Sequence, residues 1–106
     1  MTGTSGAARD LVTLRVGEEH PVRLSGLGTA GYRWVAFVEG DAGVVDVVAA
    51  GVAAPANERI GTSADELFTI RALRPGATRV RFAQRRPWEP DATPAVAERV
   101  LELRVA

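Results

Sequence analysis

The sequence predicts an all-β protein, an antiparallel β-sandwich of about seven strands in a single domain. Three observations predict it. Apolar residues recur at every second position in run after run, as they must where one face of a strand is buried and the other is wet. Clusters of Gly, Pro, Asp and Asn separate the runs at a spacing that suits a sandwich. No segment sustains the 3.6-residue period of an amphipathic helix. The length of 106 residues is that of one domain. Val, Leu, Ile and Phe supply 27 of those residues, above the roughly 20% below which a chain is suspected of disorder.

Taken in order, residues 1–8 are small and polar and are expected to be loose, leaving 9–106 as the sandwich domain. Val12, Leu14 and Val16 alternate with Thr13 and Arg15, which marks a first strand over 11–16. Val22 and Leu24 flank Arg23 and mark a second over 20–25. Tyr32, Trp34, Ala36 and Val38 share one face of a third, 31–39, with Trp34 as the largest expected core anchor. The fourth, 43–54, is apolar on both faces and rich in alanine, so a short helix competes with a strand there. Phe68 and Ile70 flank Thr69 in a fifth strand, 64–73. Val80 and Phe82 alternate with Arg79 and Arg81 in a sixth, 76–86. Leu101, Leu103 and Val105 alternate with Glu102 and Arg104 in a seventh, 95–105.

Composition removes several functions. Thirteen Arg balance thirteen Asp plus Glu, and the pI is near 6.6, whereas a nucleic-acid-binding domain usually has a pI above about 9. With no cysteine there is no disulfide, thiol nucleophile or thiolate metal site. His20 is the single histidine, so no multi-His metal site is expected, nor a catalytic triad unless His20 is its base. No catalytic residue, metal or cofactor is assigned. The opening MTGTSGAARD has neither a basic nor an apolar signal region, and the longest apolar stretch, 44–56, is broken by Asp46, Gly51 and Pro55. A cytoplasmic monomer that engages neither membrane nor nucleic acid is the expectation, with a trimmed secreted form as the alternative.

Three connecting segments carry signals. Gly26-Leu27-Gly28-Thr29-Ala30-Gly31 spells G-x-G-x-x-G, but a dinucleotide site needs a helix after the glycines, and residues 32–38 alternate as a strand. The glycines then serve a tight turn. Arg85-Arg86-Pro87-Trp88-Glu89-Pro90 holds an aromatic past the end of its strand, stiffened by two prolines. Trp88 either folds back over the sandwich end or stands exposed as a contact residue, a role for which Trp and Arg are enriched. Ile60-Gly61-Thr62-Ser63-Ala64-Asp65-Glu66 is small and polar. Asp65 and Glu66 point to opposite faces of a strand and cannot easily share an acid–base site, so both are expected to be solvated, as is His20.

In an immunoglobulin-like sandwich the connections between strands 2–3, 4–5 and 6–7 can gather at one end. The three segments occupy those connections, which makes one surface of three weak signals. Leu27-Gly28-Thr29-Ala30-Gly31-Tyr32-Arg33-Trp34, then Gly61-Thr62-Ser63-Ala64 ahead of Phe68, then Arg86-Pro87-Trp88 together resemble the chagasin family of cysteine-peptidase inhibitors. That family carries N-P-T-T-G-[YF]-x-W, G-x-G-G and R-P-W in this order. The first is matched at Thr29, Gly31, Tyr32 and Trp34, the second at Gly61 and the third throughout. Leu27-Gly28 stands for Asn-Pro, Ala30 for the second Thr, and Ser63-Ala64 for Gly-Gly.

The resemblance implies a reversible, non-covalent inhibitor of papain-like cysteine peptidases. Its peptidase-binding residues would be Leu27, Gly28, Thr29, Ala30, Gly31 and Tyr32; Gly61, Thr62, Ser63 and Ala64; and Arg86, Pro87 and Trp88. The Thr29 segment would sit near the catalytic thiol, Arg86 and Trp88 would brace one side of the cleft, and 61–64 would line the other. The departures motivate the alternative, a non-inhibitory immunoglobulin-like binding module.

Overall fold

A computed structural model describes residues 8–26, 32–53, 65–90 and 93–106. Seven strands run in chain order: β1 (Ala8–Leu14), β2 (Glu19–Leu24), β3 (Arg33–Gly40), β4 (Val45–Ala53), β5 (Asp65–Ala72), β6 (Gly76–Arg85) and β7 (Ala97–Val105). They form a four-stranded sheet ordered β1-β7-β6-β3 and a three-stranded sheet ordered β2-β5-β4. All pairs are antiparallel except β1 with β7, which run parallel.

The sandwich closes because the period-two positions converge. Val22 and Leu24 of β2 and Phe68, Ile70 and Ala72 of β5 are buried from one side; Val80 and Phe82 of β6 and Leu101, Leu103 and Val105 of β7 are buried from the other. The Phe68 and Phe82 rings meet across the two sheets, centroids 5.2 Å apart and tilted by 57°. Trp34 is only partly buried and packs against the margin of this core, whose largest fully buried side chain is Phe82.

The ambiguous alanine-rich segment is a strand. β4 pairs with β5 over its whole length, with an irregularity between Ala49 and Gly51. Gly51 takes φ +101°, a conformation that L side chains rarely adopt, so the glycine is what allows the strand to bulge and resume pairing.

The register sorts the connections by end. Leu24 pairs with Glu66, Ala53 with Asp65, Arg33 with Arg85 and Gln84 with Ala97. The strand ends that lead into 27–31, 54–64 and 86–96 therefore lie at one end of the sandwich. Short turns close the opposite end. There Leu73 N–H donates to Val44 O at 2.8 Å, Gly17 N–H to Ala72 O at 2.8 Å, and Arg74 to both Asp41 carboxylate oxygens at 2.8 Å.

Candidate functional site

The site was expected on three segments, of which one is described in full. Leu27, Gly28, Thr29, Ala30 and Gly31, and Gly61, Thr62, Ser63 and Ala64, lie outside the described residues. Tyr32, Arg86, Pro87 and Trp88 lie within them.

Arg86-Pro87-Trp88-Glu89 is a β-turn. Glu89 N–H donates to Arg86 O at 3.1 Å, and Pro87 sets the backbone at the first central position. Trp88 occupies the second central position with no positive φ, as in a type I turn. Its residue is 69% exposed. Of the two readings of Trp88, the exposed one is the structure's. The turn is fastened on several sides. Arg85 Nη2 donates to Pro90 O at 2.7 Å, Arg86 Nη1 lies 3.9 Å from Glu89 Oε2, and the Arg86 guanidinium carbon sits 4.6 Å over the Tyr32 ring. That last contact joins the end of the first motif to the third.

Beside the turn, on the outer face of the larger sheet, Val35, Phe37, Arg85, Arg86, Pro87 and Glu89 line a shallow groove of about 320 Å³. Phe37 is held there under the Arg81 guanidinium, 4.6 Å from its centroid.

At this end of the sandwich, around the ends of β2, β3, β5 and β6, lies a polar layer that the alternation of the sequence did not reveal. Glu66 was expected to be solvated; instead it is 7% exposed. It is the first inward position of β5, in series with Phe68 and Ile70, and the same alternation that buries those side chains buries this carboxylate. Its Oε2 accepts the Trp34 backbone N–H at 3.0 Å, and its Oε1 accepts Arg33 Nε at 3.2 Å. The Trp34 indole N–H donates to Ser25 O at 2.9 Å, and buried Gln84 donates its side-chain amide to the same carbonyl at 3.3 Å. Asp65, its neighbour, faces the other way and pairs with Arg23 at 2.6 Å.

The described residues do not assemble a reaction centre. Asp65 and Glu66 point apart, and among the described residues no group of three or more His, Asp or Glu side chains is placed to hold a metal ion. His20 stands at the start of β2, paired in register with Ile70 and away from the exposed turn.

An immunoglobulin-like sandwich that presents an exposed tryptophan turn at one end is a scaffold suited to recognition by contact. The family can then be given: residues 13–103 match the model of the chagasin family of peptidase inhibitors, and the chain belongs to that family. No curated protein matches it. Among solved structures, it is similar to amebosin, with 24% identity over 98% of this chain and 100% of that one and a TM-score of 0.67. It is also similar to the cysteine protease inhibitor EhICP2 from Entamoeba histolytica, with 14% identity, coverage of 95% and 94%, and a TM-score of 0.66. PbICP-C, solved in complex with falcipain-2, gives the higher TM-score of 0.72 at 17% identity, over 100% of this chain and 96% of that one. These likenesses carry the fold.

Proposed function

We propose that the chain is a reversible, non-covalent inhibitor of papain-like cysteine peptidases, and that the end bearing Trp88 enters the substrate cleft. Membership of an inhibitor family supports the class of function. A neighbour in fold is described as a cysteine protease inhibitor, and another is held in complex with falcipain-2. The observation that carries the reading to particular residues is Trp88 itself, 69% exposed as a residue and presented on a turn that is already fastened.

The physics favours a plug over a catalyst. The sequence contains no cysteine, so no mixed disulfide with the enzyme's thiol can form. Trp88 offers a large apolar face at small rotamer cost, and the proline, the turn hydrogen bond and the Arg86–Glu89 pair leave little backbone entropy to lose on binding. Arg86 adds donors beside it. The segments 27–31 and 61–64 complete the surface, with Thr29 nearest the catalytic thiol. A standard interface buries about 800 Å² per partner, within reach of three segments on one end of such a domain. The bound inhibitor blocks the cleft without offering a bond in a pose that can be cut.

Titration of papain with the pure protein, read by hydrolysis of a fluorogenic dipeptide, tests this. Reversible inhibition is expected, with the inhibitor recovered uncleaved by mass spectrometry. Full enzyme activity at micromolar inhibitor would overturn the proposal in favour of a non-inhibitory binding module.

A further inference from the structure

We infer that Glu66 is a positioning residue of the inhibitory end, whose carboxylate splints the base of the 27–31 segment to the base of the 54–64 segment. The inference rests on the peptidase-binding reading of that end. It starts from an oddity of burial. Glu66 points into the sandwich from the central strand of the smaller sheet, at a position where a leucine would continue the apolar series of Phe68 and Ile70. A buried carboxylate is costly unless it is hydrogen-bonded, and this one accepts the Trp34 backbone N–H on one oxygen while the other meets the largely exposed Arg33 guanidinium. The carboxylate therefore has a use other than filling space.

Its partners indicate that use. Both belong to the other sheet, and both open β3 directly after Tyr32. β3 is the edge of its sheet, so no further strand lies beyond it to receive the Trp34 N–H. The Glu66 carboxylate stands in for that strand, as inward-pointing charges do at other sheet edges. Glu66 itself is the second residue of β5, immediately after 54–64. Trp34 passes the connection on to Ser25, just past the end of β2, where Gln84 near the end of β6 shares the acceptor. One carboxylate thus ties the exit of one binding segment to the exit of another across the gap between the sheets. Without it this tie between the start of β3 and the start of β5 is lost, and the entropy of aligning the two falls on the binding step.

The test compares Glu66→Ala and Glu66→Gln with Val105→Ala, a core change at the opposite end that lowers stability without touching the splint. Each is assayed against papain well below its melting temperature, with ¹H–¹⁵N spectra of the uncomplexed protein. Glu66→Ala is expected to weaken inhibition about tenfold, the scale of hydrogen bonds to a charged group. Glu66→Gln keeps an acceptor for Trp34 N–H and is expected to recover most of that loss, whereas Val105→Ala leaves inhibition unchanged. In the spectra, Glu66→Ala shifts the Trp34 amide and the resonances of both segments together. Equal inhibition by Glu66→Ala and Val105→Ala, or unmoved segment resonances, would overturn the inference. If the unaltered protein fails to inhibit papain, the functional reading falls, and the spectra still decide whether Glu66 couples the two segments.

Discussion

The Arg86 guanidinium lies 4.6 Å over the ring of Tyr32, so the turn that carries Trp88 is braced by the residue that closes the first segment. The two residues come from different connections of the sandwich and meet because Arg33 and Arg85, their chain neighbours, are paired in register. Sheet register thereby becomes site geometry. The contact sets a cation over an aromatic face, two residues before the exposed Trp88.

Removing the indole should cost binding and little else. Trp88→Ala is expected to weaken papain inhibition at least about thirtyfold, the equivalent of roughly 2 kcal/mol at an interface hot spot. Because the residue is 69% exposed, the melting temperature should stay where it is. Inhibition constants and thermal melts of the same preparation check both halves. An unchanged inhibition constant would take Trp88 out of the contact surface.

The Arg86–Tyr32 contact should show as coupling. Tyr32→Phe keeps the ring face and is expected to change affinity little. Tyr32→Ala and Arg86→Ala should each weaken inhibition, and the double variant should lose less than their sum. A double-mutant cycle is expected to return about 0.5–1 kcal/mol, the range of an exposed cation–π pair. Strict additivity would mean that the contact does not position the turn.

How far the fold and the site could be read in advance depends on the information that alternation encodes. Period two assigns a face, so the burial of Val80, Phe82, Leu101 and Leu103 was legible, and with it the two-sheet sandwich. β4 was ambiguous because an apolar run without alternation suits either element, and pairing with β5 settles it, a long-range contact no local pattern records. Beyond a strand end alternation assigns nothing, so the sequence alone left Trp88 open between a buried and an exposed position. Glu66 is the opposite case. Its face was legible from Phe68 and Ile70, but its charge suggested water, and its partners on β3 lie 32 and 33 residues away. Polar side chains are buried by their partners, and partners are a property of the fold.

Core truncation should destabilise the domain without a specific effect on the site. Phe82 is fully buried and packs on Phe68 across the sheets, so Phe82→Ala is expected to cost about 3–5 kcal/mol by lost transfer energy and cavity formation. A domain of this size has about 5–15 kcal/mol in all, so the variant should remain folded at low temperature only narrowly, if at all. Urea unfolding midpoints measure the loss. Phe82→Leu, which leaves a smaller void, should fall between the two. A loss below about 1 kcal/mol for the alanine variant would contradict the tight packing of this ring.

The end of the sandwich opposite Trp88 sets an acid response. Hydrogen bonds from Arg74, followed by that from the Gly43 backbone, hold the Asp41 carboxyl below its ordinary value of 3.8. A carboxyl group whose pKa is lower folded than unfolded contributes stability that is fully present above the unfolded value and is lost as pH falls through the folded one. Wild type should therefore be more stable than Asp41→Asn at neutral pH, and the gap should close as pH falls below about 4. Arg74→Gln should flatten the same part of the profile, because it removes the group that lowers the Asp41 pKa. Urea unfolding at intervals between pH 7 and pH 2 reads the three curves. A gap between wild type and Asp41→Asn that stays constant down to pH 2 would show that the Asp41–Arg74 pair does not form in solution. Since Asp41 sits at the far end from Trp88, none of these variants should alter peptidase inhibition at neutral pH.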